Sequence, residues 1–220
     1  MNSGQTPLQR HFGVPEDFVA MARRWCPDVV EIMLGYVWQG FDRMREEQFD
    51  VNSDDENIED DITALAYVRI SALMDGKAPY CLMHKPSENE RRKGPSPTPD
   101  LGFVWLANPR AVFPLEAKVL RTDGSVSAYI KEIADNFLTG RYASFSSEAA
   151  MMGYLLRGFP ENAFGSISDR LGCQLGSHPS FRNRNHRCSD HLRRADELGN
   201  KHFRCHHMIM DFGGSGQRVN

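Results

Sequence analysis

The sequence predicts an α/β protein: a mixed central sheet flanked by helices and preceded by an N-terminal helical segment. Three observations predict it. Apolar residues recur at helical spacing through much of residues 16–75. Two apolar runs, 101–106 and 111–120, then flank Asn108-Pro109-Arg110, a turn signal that makes them a β-hairpin. After the hairpin, helical and strand-like segments alternate.

Each element has its own warrant. Phe18, Met21, Ala22 and Trp25 form a helical stripe that Pro27 breaks. Val29, Val30, Met33, Leu34, Val37, Trp38 and Phe41 form a second stripe. Residues 57–75 predict a further helix, with Ile62, Leu65, Ala66, Ile70 and Leu73 inward and Gly76 at its end. Its opening cluster, Glu59-Asp60-Asp61, suits the positive end of a helix dipole. Residues 79–83 read as a short strand. Residues 85–99 hold four prolines and no large apolar side chain, so they read as a loop, a long one for a compact domain. Residues 125–138 predict a helix with Ile130, Ile133, Ala134, Phe137 and Leu138 inward and Gly140 as its cap. Residues 150–156 fit helix or strand, and Gly153 in mid-run with Gly158 soon after favours a strand. Residues 160–171 read as a helix, 172–200 as irregular polar chain, and 202–212 as a last strand. The expected division is an N-terminal helical segment 1–56, a core 57–172, and a basic His/Cys-rich tail 173–220 whose final strand packs on the core.

The 220 residues suit one domain, and 40% hydrophobic content is enough for a sizeable core. No run of 18 apolar residues occurs, so no membrane span is expected. Residues 1–13 have no apolar centre and do not read as a signal peptide. With five cysteines, an odd count, this points to a reduced, cytoplasmic setting. A net charge of −3 does not announce a nucleic-acid binder, but its distribution is uneven. Residues 42–61 hold ten acids against two arginines, and residues 182–204 hold seven Lys/Arg against three acids. The basic stretch fits either a phosphate-tracking surface or a solvated loop. No Walker A loop, dinucleotide fingerprint or G-x-S-x-G elbow is present.

The chemistry lies on the hairpin. Pro99-Asp100 opens its first strand, and Glu116-Ala117-Lys118 lies on its second. Glu116 and Lys118 are two apart and share a strand face. Residues 111–120 are apolar on both faces, as in a buried central strand, and burying Glu116 and Lys118 there without partners would be costly. Two carboxylates beside an ammonium can hold a divalent cation and activate water against a phosphodiester.

This motif and the element order of residues 57–157 resemble the PD-(D/E)xK nuclease superfamily, which has the restriction-endonuclease-like fold. The resemblance implies a metal-dependent endonuclease acting on DNA in bacterial defence or repair. Asp100 and Glu116 would be metal ligands, with Lys118 orienting the attacking water or stabilising the developing charge. Such families often add an acid from the preceding helix, here Glu59, with Asp60 or Asp61 if the register differs. Mg²⁺ is the expected cofactor, with Mn²⁺ an alternative. Some members carry Gln-x-x-x-Tyr on the next helix; here Tyr129 is present but Ser125 stands at the Gln position, so that subfamily is not claimed. Tyr129 and Lys131 are expected as rim contacts to the nucleic acid, and Arg91, Arg92 and Lys93 as phosphate contacts from the long loop. No recognition module accompanies the site, so specificity is expected from a protein partner or self-association. The alternative is a catalytically silent nuclease-like subunit that binds nucleic acid or protein.

Six of eight histidines and three of five cysteines follow residue 172. Cys188, His191, Cys205 and His207 are side-chain types that zinc accepts, but their spacing is not that of a zinc finger, so zinc is not expected in the tail. His191 and His207 are expected to be ordinary polar or phosphate-facing residues. A zinc-stabilised interaction module is the third reading of the chain.

Overall fold

The computed structural model describes residues 16–47, 55–74, 76, 78–84, 98–142, 145–193 and 202–213. The chain opens with α1 (Phe18–Trp25), capped by the Asp17 side chain, which accepts the Ala20 N–H at 2.8 Å. The break at Pro27 separates it from α2 (Val29–Glu46). Helix α3 (Ile58–Ser71) carries Glu59, Asp60 and Asp61 in its first turn and ends before Gly76.

The strands are β1 (Tyr80–His84), β2 (Leu101–Trp105), β3 (Val112–Leu120), β4 (Glu148–Leu155), β5 (Gly176–Ser177), β6 (His186–Leu192) and β7 (His202–Asp211). Between β3 and β4 comes α4 (Ser127–Glu132), continued by a π-helical turn (Ile133–Phe137), and α5 (Pro160–Leu171) follows β4. The result is an α/β fold: among the described residues, one seven-stranded mixed sheet flanked by five α-helices.

The sheet runs β1-β2-β3-β4-β7-β6-β5. β1, β2 and β3 form an antiparallel meander, β3-β4 and β4-β7 are parallel, and β7-β6-β5 are antiparallel. The last strand thus lies inside the sheet, between β4 and β6. All eight residues of β4 are buried, and after Glu148 the strand reads as a continuous apolar run.

Two apolar layers cover the sheet. Phe18, Met33, Leu34, Trp38, Ile62 and Ile70 of α1–α3 pack with Phe113, Leu115, Ala117, Tyr154 and Met208. On the opposite face Tyr129, Ile133, Phe137, Phe164 and Ile167 pack with Leu120, Met151, Leu155 and Ile209. Two glycines allow close approaches. A Cβ at Gly40 would lie 2.7 Å from Ile70 Cγ1, where α2 crosses α3. A Cβ at Gly153 would lie 2.8 Å from Ile209 Cδ1 and 3.0 Å from Leu120 Cδ1.

Two expectations need correction. Residues 172–193, the described part of the stretch expected to be irregular, include β5, a 3₁₀ turn (Pro179–Phe181) and β6, while 194–200 lie outside the described residues. β6 reads HRCSDHL, and its buried positions are His186 and Ser189, so apolar alternation cannot reveal it. The helix expected over 125–138 changes pitch at Ile133, which turns Ala134 outward and buries Asn136.

Candidate functional site at the sheet fork

β2 starts at Leu101, paired with Leu115, while β3 continues to Leu120 alongside β4. The sheet therefore forks after Leu115, and the β2-facing backbone of β3 needs other partners. Side-chain carboxylates provide them. Ala117 N–H donates to Asp100 Oδ2 at 3.0 Å, and Val119 N–H donates to Glu59 Oε2 at 2.9 Å. Asp100 stands immediately before β2, and its own N–H donates to Glu116 Oε2 at 3.3 Å. Glu59 reaches the fork from the first turn of α3, whose Thr63 hydroxyl donates to the Glu59 carbonyl at 2.7 Å. Thr63 Oγ1 also lies 3.0 Å from the Tyr154 hydroxyl, tying this helix to β4.

Lys118 fills the centre of the fork. Its Nζ lies 2.8 Å from Glu59 Oε1, 3.3 Å from Glu116 Oε1 and 3.9 Å from Asp100 Oδ2. It also donates to the Ala117 carbonyl at 2.6 Å. Glu116 is 2% exposed and Asp100 7%, so both carboxylates are largely out of water. Burial is the largest influence on Lys118 and disfavours its charge, but Glu116, Glu59 and Asp100 together outweigh it and hold the ammonium above the usual lysine range. Tyr142 also lies in the field of the fork. Burial raises its hydroxyl first, and the nearness of Glu116, Glu132 and Asp100 raises it further.

The fork thus brings together Glu59, Asp100, Glu116 and Lys118, the four residues singled out in the sequence. The three carboxylates meet on the ammonium. Arg91, Arg92 and Lys93 lie outside the described residues. Lys131 is exposed on α4. Tyr129 is not the expected rim contact: it is fully buried, with its hydroxyl 3.0 Å from His207 Nδ1. The reason is its place on the inward stripe of α4, beside Val126 and Ile133. Thr63, Tyr142 and Tyr154 went unnoticed in the sequence. Thr63 lies one helical turn after Glu59, which is a readable signal, whereas Tyr154 requires the register that pairs it with Val119.

Among the described residues of the basic stretch, four arginines are occupied within the fold. Arg184 pairs with Asp42 at 2.7 Å, Arg187 with Glu161 at 2.9 Å, and Arg204 with Asp190 at 2.9 Å. Arg193 donates to the Ser146 carbonyl at 3.0 Å and stacks over Phe203. These contacts fasten β6 and β7 to their neighbours.

The set Cys188, His191, Cys205 and His207 is not brought together. Cys188 pairs with His206 across β6 and β7, which puts both on the α1–α3 face. Cys205 and His207 occupy the other face, because neighbours on a strand alternate. There Ser189 Oγ lies 2.8 Å from His207 Nε2 and 2.6 Å from His191 Nε2. His207 is fully buried, so it is not phosphate-facing. A different trio does converge. Among the described residues, only His178, Cys188 and His206 bring three ligand atoms from His, Cys, Asp or Glu within 4.8 Å of one another.

Also among the described residues, no helix is long and apolar enough to cross a membrane. Comparison with protein-family models, with curated proteins and with solved structures found no match.

Proposed function

We propose that this chain is a divalent-cation-dependent nuclease of the PD-(D/E)xK type, with a restriction-endonuclease-like core and DNA as its substrate. One observation carries the reading: Glu59 of α3, Asp100 just before β2, and Glu116 and Lys118 of β3 meet at the fork of a mixed sheet. The donor types suit the cation, since carboxylates and the Ala117 carbonyl are hard oxygen donors of the kind Mg²⁺ or Mn²⁺ takes, and the three carboxylates, now spread around Lys118, would have to close in on it. Asp100, Glu116 and Glu59 would hold it. Bound there, it would polarise a phosphodiester and lower the pKa of a water.

Lys118 does the rest. Its three N–H donors now serve Glu59, Glu116 and the Ala117 carbonyl. If Glu59 and Glu116 turned oxygens to a cation, a Lys118 N–H donor would be freed. That donor orients the attacking water or takes up charge on the phosphoryl oxygens. Defence against foreign DNA, or repair, fits this chemistry, with specificity supplied by a partner or by self-association.

A second reading has its own observation. The quartet is hydrogen-bonded within itself, and two of its carboxylates cap strand N–H groups. A silent nuclease-like subunit, built to bind nucleic acid or protein, needs no more than this.

Cleavage of supercoiled plasmid with Mg²⁺, Mn²⁺ or EDTA separates the two, using wild type, Lys118→Ala and Glu116→Gln. Metal-dependent nicking lost in both variants, with their fold retained by circular dichroism, supports the nuclease. Nicking that persists in both variants, or wild type inert with every metal while still binding the plasmid, favours the silent subunit.

A further inference from the structure

We propose that His178, Cys188 and His206 bind a borderline-soft divalent transition cation, zinc first among them, at a site separate from the fork. Two imidazoles and a thiolate are the donors such an ion selects over Mg²⁺ or Ca²⁺. The ligand atoms, all within 4.8 Å of one another, need to close to roughly 3.3–3.8 Å, the separation that bonds of about 2.0–2.3 Å impose in a tetrahedron.

His206 is already oriented for ligation. Its Nε2 lies 2.9 Å from Glu148 Oε2, and Arg23 donates to Glu148 Oε1 at 2.7 Å. An ionised carboxylate only accepts, so Nε2 carries the proton and Nδ1 presents its lone pair. That Nδ1 lies 3.4 Å from Cys188 Sγ. A carboxylate behind the distal nitrogen is the arrangement that orients metal-bound histidines. His206 and Glu148 are 1% and 6% exposed, so this support is built into the core.

His178 arrives from the turn after β5, with its ring centroid 5.5 Å from that of His206. Its Nδ1 accepts the Ser180 N–H at 3.2 Å. A neutral imidazole has one lone pair, so ligation through either nitrogen requires release of that long bond. His186 is the competitor. Trp38 Nε1–H donates to His186 Nδ1 at 3.2 Å, which leaves the His186 proton on Nε2, 3.1 Å from His206 Nδ1. Without metal, His186 donates to His206; with metal, the same lone pair goes to the cation. While Trp38 holds it, His186 is not a fourth ligand, and that position falls to water or a small ligand. The three residues lie on the β5–β6 connection, β6 and β7, so the ion would clip these segments together.

The test uses the purified 220-residue chain, stripped with EDTA and reloaded with ZnCl₂ or CoCl₂. Wild type is expected to retain about one zinc per chain through gel filtration. With cobalt it is expected to show thiolate-to-metal charge-transfer absorption. Cys188→Ser loses the cobalt band, Cys205→Ser keeps it, and Glu148→Gln weakens zinc binding about 10–100-fold. Wild type that retains no zinc and shows no thiolate–cobalt band overturns the proposal, as does Cys188→Ser that keeps both. The wild-type spectrum does not depend on any variant folding.

Discussion

Asp100 and Glu116 are linked across the mouth of the hairpin in both directions. The Asp100 N–H donates to the Glu116 carboxylate at 3.3 Å, and the Asp100 carboxylate accepts the N–H of Ala117, the next residue after Glu116, at 3.0 Å. Each acid thus uses one oxygen to fix the other's backbone, while Glu116 Oε1 turns to Lys118. These bonds fix the orientation of both carboxylates within the fold.

Removing the ammonium exposes the balance of charge in the fork. Lys118→Met is expected to lose about 2–4 kcal/mol of stability, somewhat less than the ~3–5 kcal/mol of a fully buried broken pair because Lys118 keeps some contact with water. Mg²⁺ is then expected to stabilise the variant more than it stabilises wild type, since the cation replaces the lost charge. Urea denaturation with and without Mg²⁺ measures both effects. No Mg²⁺ effect on either protein would count against a cation site at the fork.

Glu59 does two things, and two substitutions separate them. Glu59→Gln keeps an acceptor for the Val119 N–H but loses the charge opposite Lys118, whereas Glu59→Ala loses both. Glu59→Ala is expected to be less stable than Glu59→Gln by about 1 kcal/mol, one hydrogen bond. If Glu59 holds the cation, metal-dependent cleavage falls in both. Denaturation and plasmid nicking on the same preparations give the comparison.

Tyr129→Phe tests the position of this side chain against the earlier expectation. It removes the hydroxyl from His207 Nδ1 and leaves a buried nitrogen without that partner. The cost is expected to be about 1–2 kcal/mol in stability, with DNA affinity unchanged. A loss of DNA binding in a stably folded variant would return Tyr129 to the substrate's edge.

Alkaline pH should unfold the chain steeply. Burial pushes Tyr80 up to about 12 and raises Tyr129 and Tyr154 well above the usual tyrosine range. The unfolded chain ionises its tyrosines near about 10. Their contribution is therefore complete below that pH and is lost as pH rises towards the folded values. Three such groups give a slope of up to about 4 kcal/mol per pH unit. Tyrosinate absorption and loss of circular dichroism should rise together above pH ~10; tyrosinate forming well before unfolding would contradict the burial.

The fork was readable in the sequence because its signals are local. Glu116 and Lys118 are two positions apart on one strand, Asp100 immediately precedes the neighbouring strand, and Glu59 lies at the start of the preceding helix. The other features depend on long-range register. Cys188 meets His206 only because β6 pairs with β7 at that offset. Tyr154 comes near Glu59 only through a parallel pairing between strands joined by α4. β6 itself was missed because its buried residues, His186 and Ser189, are polar and are satisfied by Trp38, His191, His206 and His207, a pattern that apolar periodicity does not register.

The place of β7 bears on how the protein is made. It is the latest of the seven strands to leave the ribosome, yet it fills the gap between β4 and β6. Until it emerges, β4 presents a bare edge, and β6 has no route into the sheet. A nascent chain can assemble the hairpin and α3 early, but the middle of the sheet closes only after translation has passed residue 211. Synthesis that stalls before that point would leave an aggregation-prone half-sheet, with the acidic fork attached to a scaffold not yet able to support it.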